Sequence, residues 1–365
     1  MEASLVGTGC QTINKGGRDI MFSGCYTALI TPMTKNGVDY DGLTRLVEFQ
    51  VASGVSGVLA VGTTGESPTL DWNEHDKVIE KVHEIINGKC ITIGGTGSNS
   101  TEETLRGTKH AAECGVEAVL LVDPYYNGPS SLEIRREYLE PVAKAFPEVK
   151  IIPYIIPGRT GTQLSAQDLA IAYKNCPSIC AVKEATGDLE NMKLVRKCCG
   201  KDFDIISGDD DKTYNMMTDP DIKASGVISV VSNIAPRAVQ DMTEYLNKGD
   251  IEKGEKLAKA LQPLFDTIVT VKTQEETPYG VVICKARNPL AVKTLMNVLG
   301  MPSGKVRQPL GKMTKKGIQV VLDATKKVLK DNPEILKPIE DFFGVDIEER
   351  LNNKNLLHGL YYEEY

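Results

Sequence analysis

Short apolar runs alternate with segments of helical period from Cys25 to about residue 235, and the alternation repeats eight times. The runs cover 25–31, 57–61, 90–94, 118–122, 150–155, 179–182, 203–207 and 226–230. Between them, segments such as 40–53, 73–87, 101–114 and 132–146 carry apolar residues at three-and-four spacing, the stripe an outer helix needs to pack on a sheet. Strands covered on both faces read as near-continuous apolar runs, and Ala118-Val119-Leu120-Leu121-Val122 is one. Repeated strand–helix units of this kind predict an α/β fold, a (β/α)8 TIM barrel. The alternative, a doubly wound open sheet, lacks the GxGxxG turn after a strand that a dinucleotide site requires.

After the eighth unit the pattern turns helical, with helices predicted over 236–247, 251–271, 279–299 and 312–329. The expected organisation is a flexible leader over 1–21, a barrel over 22–235, a C-terminal helical region over 236–330 and an acidic tail over 331–365. The tail reads either as a docking segment between subunits or as a partly disordered end. A start at Met21 is as compatible with the pattern as one at Met1.

Charge and cysteine usage narrow the function classes. With 42 Lys+Arg against 49 Asp+Glu the formal charge is -7, which offers no general attraction to nucleic acid or an anionic membrane. No apolar stretch approaches the length of a bilayer span, and a soluble cytoplasmic protein is expected. The nine cysteines form no CxxC unit, and Cys198-Cys199 has no His or Cys at ligand spacing. Neither a metal nor a cofactor is expected.

In such a barrel the chemistry sits where strands end at their C-termini. The second strand ends in Gly62-Thr63-Thr64-Gly65-Glu66-Ser67, the fourth in Asp123-Pro124-Tyr125-Tyr126-Asn127, and the sixth in Lys183-Glu184-Ala185-Thr186-Gly187. Tyr154 lies in the fifth, which leads into Pro157-Gly158-Arg159-Thr160-Gly161. Burial by Ile179-Cys180-Ala181-Val182 would desolvate the Lys183 ammonium, lower its pKa and free an amine to attack a carbonyl. A snorkelling or Glu-paired structural lysine is the alternative on spacing alone. Imine chemistry also needs proton transfer, for which the hydroxyls of Thr63, Thr64, Tyr126 and Tyr154 are candidates. Either tyrosine of the Tyr125-Tyr126 pair also reads as a packing aromatic. Arg159 can hold a carboxylate in bidentate fashion or sit solvated at the surface. Gly208-Asp209-Asp210 and the backbone near Ile228 fall at the same mouth, although a Gly-Asp-Asp triplet is equally a turn.

Taken in order, GTTGES at 62–67, DPYYN at 123–127, PGRTG at 157–161, VKEATG at 182–187, SGDD at 207–210 and GVISV at 226–230 resemble the dihydrodipicolinate synthase and N-acetylneuraminate lyase family, over roughly 22–329. The resemblance implies a class I lyase in which Lys183 forms a Schiff base with pyruvate and Tyr154 transfers protons, with Thr64 and Tyr126 completing the relay. It further implies that Thr63, Thr64 and backbone at Ile228 hold pyruvate, that Tyr126 crosses a dimer interface, and that two dimers form a homotetramer. Arg159 resembles the arginine by which synthases, unlike sugar-acid lyases, hold the carboxylate of L-aspartate 4-semialdehyde. The implied product is 4-hydroxy-tetrahydrodipicolinate, on the route to diaminopimelate and lysine. Ser67, Trp72, His75, Asn99, Glu103 and Tyr125 match positions of the lysine feedback site of lysine-sensitive members. Ile155 departs from the pattern, which has Asn after the tyrosine, and bears on substrate selection. A sugar-acid aldolase and a non-catalytic lysine-binding barrel are the competing functions.

Overall fold

The computed structural model describes residues 22–365 and the backbone of two short antiparallel strands, Ile13–Lys15 and Arg18–Ile20. The expectations of a flexible leader and of a start at Met1 or Met21 otherwise lie outside the described residues.

Eight parallel strands close into a barrel in sequence order. They are β1 (Gly24–Ala28), β2 (Gly57–Ala60), β3 (Ile91–Gly95), β4 (Ala118–Val122), β5 (Lys150–Ile155), β6 (Ala181–Glu184), β7 (Asp204–Ser207) and β8 (Gly226–Ser229), with β8 pairing back to β1. The expected barrel is present, each strand within three residues of its apolar run at either end.

The period of two along each strand decides which side chains meet the site. Tyr26, Leu59, Ile93, Leu120, Tyr154 and Ile228 share the barrel interior. Val58, Val119, Ile155, Val182 and Val227 face outward into the larger core under the helices. Ile155 therefore contacts the helix layer and Tyr154 the interior, so the departure at Ile155 lies on the far side of the strand from the mouth.

The helices named below are α1 (Tyr40–Ala52), α2 (Trp72–Ile86), α3 (Thr101–Glu113), α4 (Glu140–Ala145), α5 (Ala166–Asn175), α6 (Leu189–Cys199), α7 (Thr213–Thr218) and α8 (Pro236–Asn247). α2 shows why they form. Val78, Ile79, Val82 and Ile86 make one buried stripe, and Asp71 caps the start by accepting from Asn73 N and Glu74 N, both at 2.9 Å.

Beyond the barrel come α9 (Ile251–Ile268), a hairpin of β9 (Thr270–Thr277) and β10 (Gly280–Arg287), then α10 (Leu290–Leu299) and α11 (Lys315–Asp331). The helix expected over 279–299 is thus corrected. Its first third is a strand, and only Leu290–Leu299 is helical. Thr277-Pro278-Tyr279-Gly280 reverses the chain, with Gly280 at φ 117°, and β-branched Val281, Val282 and Ile283 favour the extended return.

The acidic tail folds onto its own chain through α12 (Lys337–Phe343) and α13 (Ile347–Asn352). Phe342 and Phe343 stack on Phe49 of α1 at 5.4 and 5.2 Å between ring centres. Arg350 donates from Nε to the Val298 carbonyl at 2.7 Å, satisfying an otherwise orphaned acceptor at the end of α10. The eight cysteines among the described residues are unbridged, and no helix among them is long and apolar enough to cross a membrane.

Candidate active site

Lys183 ends β6 on the interior side and is only 5% exposed. It lies in register with Tyr154 of β5, and its Nζ sits 4.2 Å from the centre of the Tyr154 ring. Burial outweighs the nearby Asp209 and Asp210 carboxylates and brings its pKa down from 10.5 to about 8. At neutral pH an appreciable fraction is then the free amine, the form that attacks a carbonyl. Room for its stem comes from Gly208: a Cβ there would lie 2.7 Å from the Ala185 Cβ and 3.2 Å from the Lys183 Cε.

The Tyr154 hydroxyl is buried, its pKa pushed up to about 12 by desolvation, with the Arg159 charge and, less, neighbouring Thr63 acting the other way. The two threonines are therefore divided. Thr63 lies close enough to Tyr154 to lower its pKa, whereas the Thr64 hydroxyl accepts from Asn288 Nδ2 at 2.9 Å. Of the two threonines named as candidates, Thr63 is the one beside Tyr154.

A cavity of about 240 Å³ opens at these strand ends, walled by Thr63, Gly97, Tyr125, Tyr154, Ile156 and Arg159 among others. A larger cavity, about 430 Å³, lies between the hairpin and the chain's end and includes none of the strand-end residues, so size does not mark the site. Arg159 sits in the helical turn Pro157–Thr160, and its Nη2 donates to the Asn288 carbonyl at 3.3 Å. Arg287 at the end of β10 donates to the Gly158 carbonyl at 3.4 Å, bringing a second guanidinium to the same loop.

Gly208 N is used by the sheet, donating to the Glu184 carbonyl at 2.7 Å, so it offers no donor to a substrate. Asp210 is buried and serves the scaffold: Oδ2 accepts from Val230 N at 2.9 Å and Val231 N at 3.1 Å, fixing the turn after Ile228 and β8. Tyr126 does not join its own chain's cavity. It is 92% exposed at φ 78°, projecting from the loop after β4.

The six residues matched to an effector site fall at the start of α2, the start of α3 and the loop after β4. Ser67 and Tyr125 both wall the cavity. Glu103 accepts from Ser98 Oγ at 2.5 Å, and Tyr125 feels its charge, which adds to desolvation in raising the phenol pKa. Trp72 and His75 lie ring to ring at 4.8 Å, and neither ring nitrogen of the buried His75 has a hydrogen-bond partner. Asn99 is exposed beside Ser98.

A further arrangement at the mouth joins residues far apart in the sequence. Glu66 of the GTTGES loop, at φ 61°, forms a buried ion pair with Lys293 of α10 at 2.6 Å. Lys293 also donates to the Thr31 carbonyl at 2.9 Å, and Glu66 Oε2 accepts from Arg307 N at 2.8 Å. The C-terminal region thus clamps the threonine loop through Lys293 and through Asn288. An Asn-Pro followed by a lysine in an apolar helix was the available signal.

Residues 21–328 match the profile of the Dihydrodipicolinate synthetase family. The chain is 40% identical over 290 residues to the 4-hydroxy-tetrahydrodipicolinate synthase of Methanococcus maripaludis, covering 80% of this chain and 93% of that protein. Dihydrodipicolinate synthase from Aquifex aeolicus superposes with a TM-score of 0.77 at 35% identity, over 87% of this chain and all (100%) of that one. The enzyme from Cyanidioschyzon merolae, solved with lysine bound, superposes at 0.76 with 32% identity, over 84% of this chain and 98% of that one.

Proposed function

The chain belongs to the dihydrodipicolinate synthetase family, and from that premise we propose that it condenses pyruvate with L-aspartate 4-semialdehyde to 4-hydroxy-tetrahydrodipicolinate through an imine on Lys183, in the cytoplasm. The observation that carries this is the buried amine of Lys183, its pKa lowered to about 8, over the ring of Tyr154, in register on the neighbouring strand.

The neutral Nζ attacks the ketone carbon of pyruvate, and the carbinolamine loses water to give the imine. Proton loss from the methyl carbon gives an enamine, whose carbon bonds to the aldehyde carbon while the aldehyde oxygen takes a proton. The amine of the second substrate then displaces Lys183 from the imine carbon and closes the ring. Tyr154 and Thr63 are the proposed proton shuttle. Thr64 and backbone near Ile228 hold pyruvate, and Arg159 at the rim takes the carboxylate of the semialdehyde. Tyr126 is assigned to the site of a second copy, because it projects from its own chain at 92% exposure, within a homotetramer of two such dimers.

Borohydride reduction with pyruvate followed by peptide mapping tests the assignment. Wild type should carry one pyruvate-derived adduct on Lys183, and Lys183→Ala none. Tyr154→Phe should retain the fold and turn over roughly 10²–10⁴ more slowly, the usual worth of a positioned acid–base group. Full turnover by Lys183→Ala would remove the imine mechanism.

We further propose L-lysine as an effector, bound where Glu103 faces its ammonium and Trp72, His75, Ser67, Asn99 and Tyr125 complete the pocket. Glu103→Gln should raise the lysine concentration for half-inhibition at least tenfold with little change in uninhibited rate. Equal sensitivity in the variant would exclude this placement.

A further inference from the structure

The hairpin of β9 and β10 stands as a two-stranded sheet, and among the described residues no third strand pairs with either edge. Its inner face, with Val271, Thr273, Cys284 and Ala286, covers the cavity shared with the start of α11 and the chain's end. Its outer face is exposed and carries Lys272, Gln274 and Glu276 on β9 and Val281, Ile283 and Lys285 on β10.

That face is unusual for a surface in water. Val281 and Ile283 are 62% and 63% exposed, and Tyr279 at the turn is fully exposed at 100%. A two-stranded hairpin is marginal by itself, and clustered exposed apolar side chains on it mark a contact surface. The cross-strand register arranges the charges. Lys272 lies opposite Lys285, Gln274 opposite Ile283, and Glu276 opposite Val281. The base is cationic with two like charges side by side, which is destabilising without a counter-charge, the middle is neutral, and the end near the turn is acidic.

We propose that this outer face is a contact between two copies of the chain, packed face to face about a two-fold axis that crosses the strands at Gln274 and Ile283. For identical faces the axis lies in the plane between them, and charge chooses its direction. An axis along the strands would stack Lys272 on Lys285 of the other copy, like charge on like charge, and leave Glu276 over Val281. An axis across the strands reverses one hairpin, setting Lys272 of each copy over Glu276 of the other. Ile283 then meets Ile283 at the axis, and the alkyl stem of Lys285 covers Val281. The contact is self-complementary and closes after two copies. It uses neither Tyr126 nor any residue assigned to catalysis, so it stands or falls apart from the proposed chemistry.

Sedimentation velocity on the full chain tests it, with wild type, Glu276→Lys, Lys272→Glu, an equimolar mixture of those two variants, and Ile283→Glu. Each single variant should sediment at half the wild-type mass at the same concentration. The mixture should regain wild-type mass, because a β9 row with Lys at 272 and 276 then meets a row with Glu at both positions, and pyruvate adduct formation should be retained throughout as a check of folding. Wild-type mass in both charge variants, or a mixture that stays at half mass, would overturn the proposal.

Discussion

Two buried lysines sit in opposite electrostatic environments. Lys183 at the end of β6 is 5% exposed and stands over the Tyr154 ring, with Asp209 and Asp210 near enough to raise its pKa but not to offset desolvation. Lys293 in α10 is 1% exposed, bonded to the Glu66 carboxylate at 2.6 Å and to the carbonyls of Thr31 and Lys305 at 2.9 and 3.2 Å. All three protons of its ammonium have acceptors, which leaves it a fixed cation. Burial alone does not make an amine nucleophilic. The absence of close acceptors at Lys183 among the described residues, and their completeness at Lys293, separates the lysine proposed as reactive from the structural one.

The comparison breaks most decisively at Lys293. Lys293→Met leaves the Glu66 carboxylate buried without its partner and should cost about 3–5 kcal/mol, read as a lowered urea midpoint. The double variant with Glu66→Gln should recover part of that loss. A midpoint equal to wild type in Lys293→Met would mean that the pair does not hold the threonine loop.

Lys183→Met should move stability the other way. The folded pKa of Lys183 lies below its unfolded value, so between pH 8 and 10.5 the unfolded chain binds more protons than the native one and stability rises with pH across that window. Below pH 8 the native protein carries the whole cost of a buried ammonium. Removing it should raise stability at pH 7 by up to about 3 kcal/mol, a gain that fades as pH approaches 10.5. Destabilisation at pH 7 that persists at pH 10 would place Lys183 in the same class as Lys293.

Most of the barrel was legible because parallel strands and amphipathic helices write their periods directly into the chain, and the eight strands lie where the apolar runs lie. Lys183 and Tyr154 were legible as strand-end residues, since alternation along β5 and β6 fixes which way they face. The hairpin was not. Val281 and Ile283 point to solvent while Val282, Cys284 and Ala286 point inward, so hydrophobicity does not distinguish the two faces, and the run merges with the helical pattern of Leu290–Leu299 that follows. The division of labour between Thr63 and Thr64 was also hidden, because Asn288 reaches Thr64 across 224 positions of sequence.

The sequence by itself therefore determined the barrel, its order of strands and the identity of the lysine at its mouth, since each follows from local periodicity and from the rule that polar groups at parallel strand ends converge. Only the tertiary structure decided which threonine lies beside Tyr154 and which lysine is neutralised by a carboxylate. Those outcomes depend on distances between segments that share no local pattern, and electrostatic energies in a desolvated site change steeply with such distances.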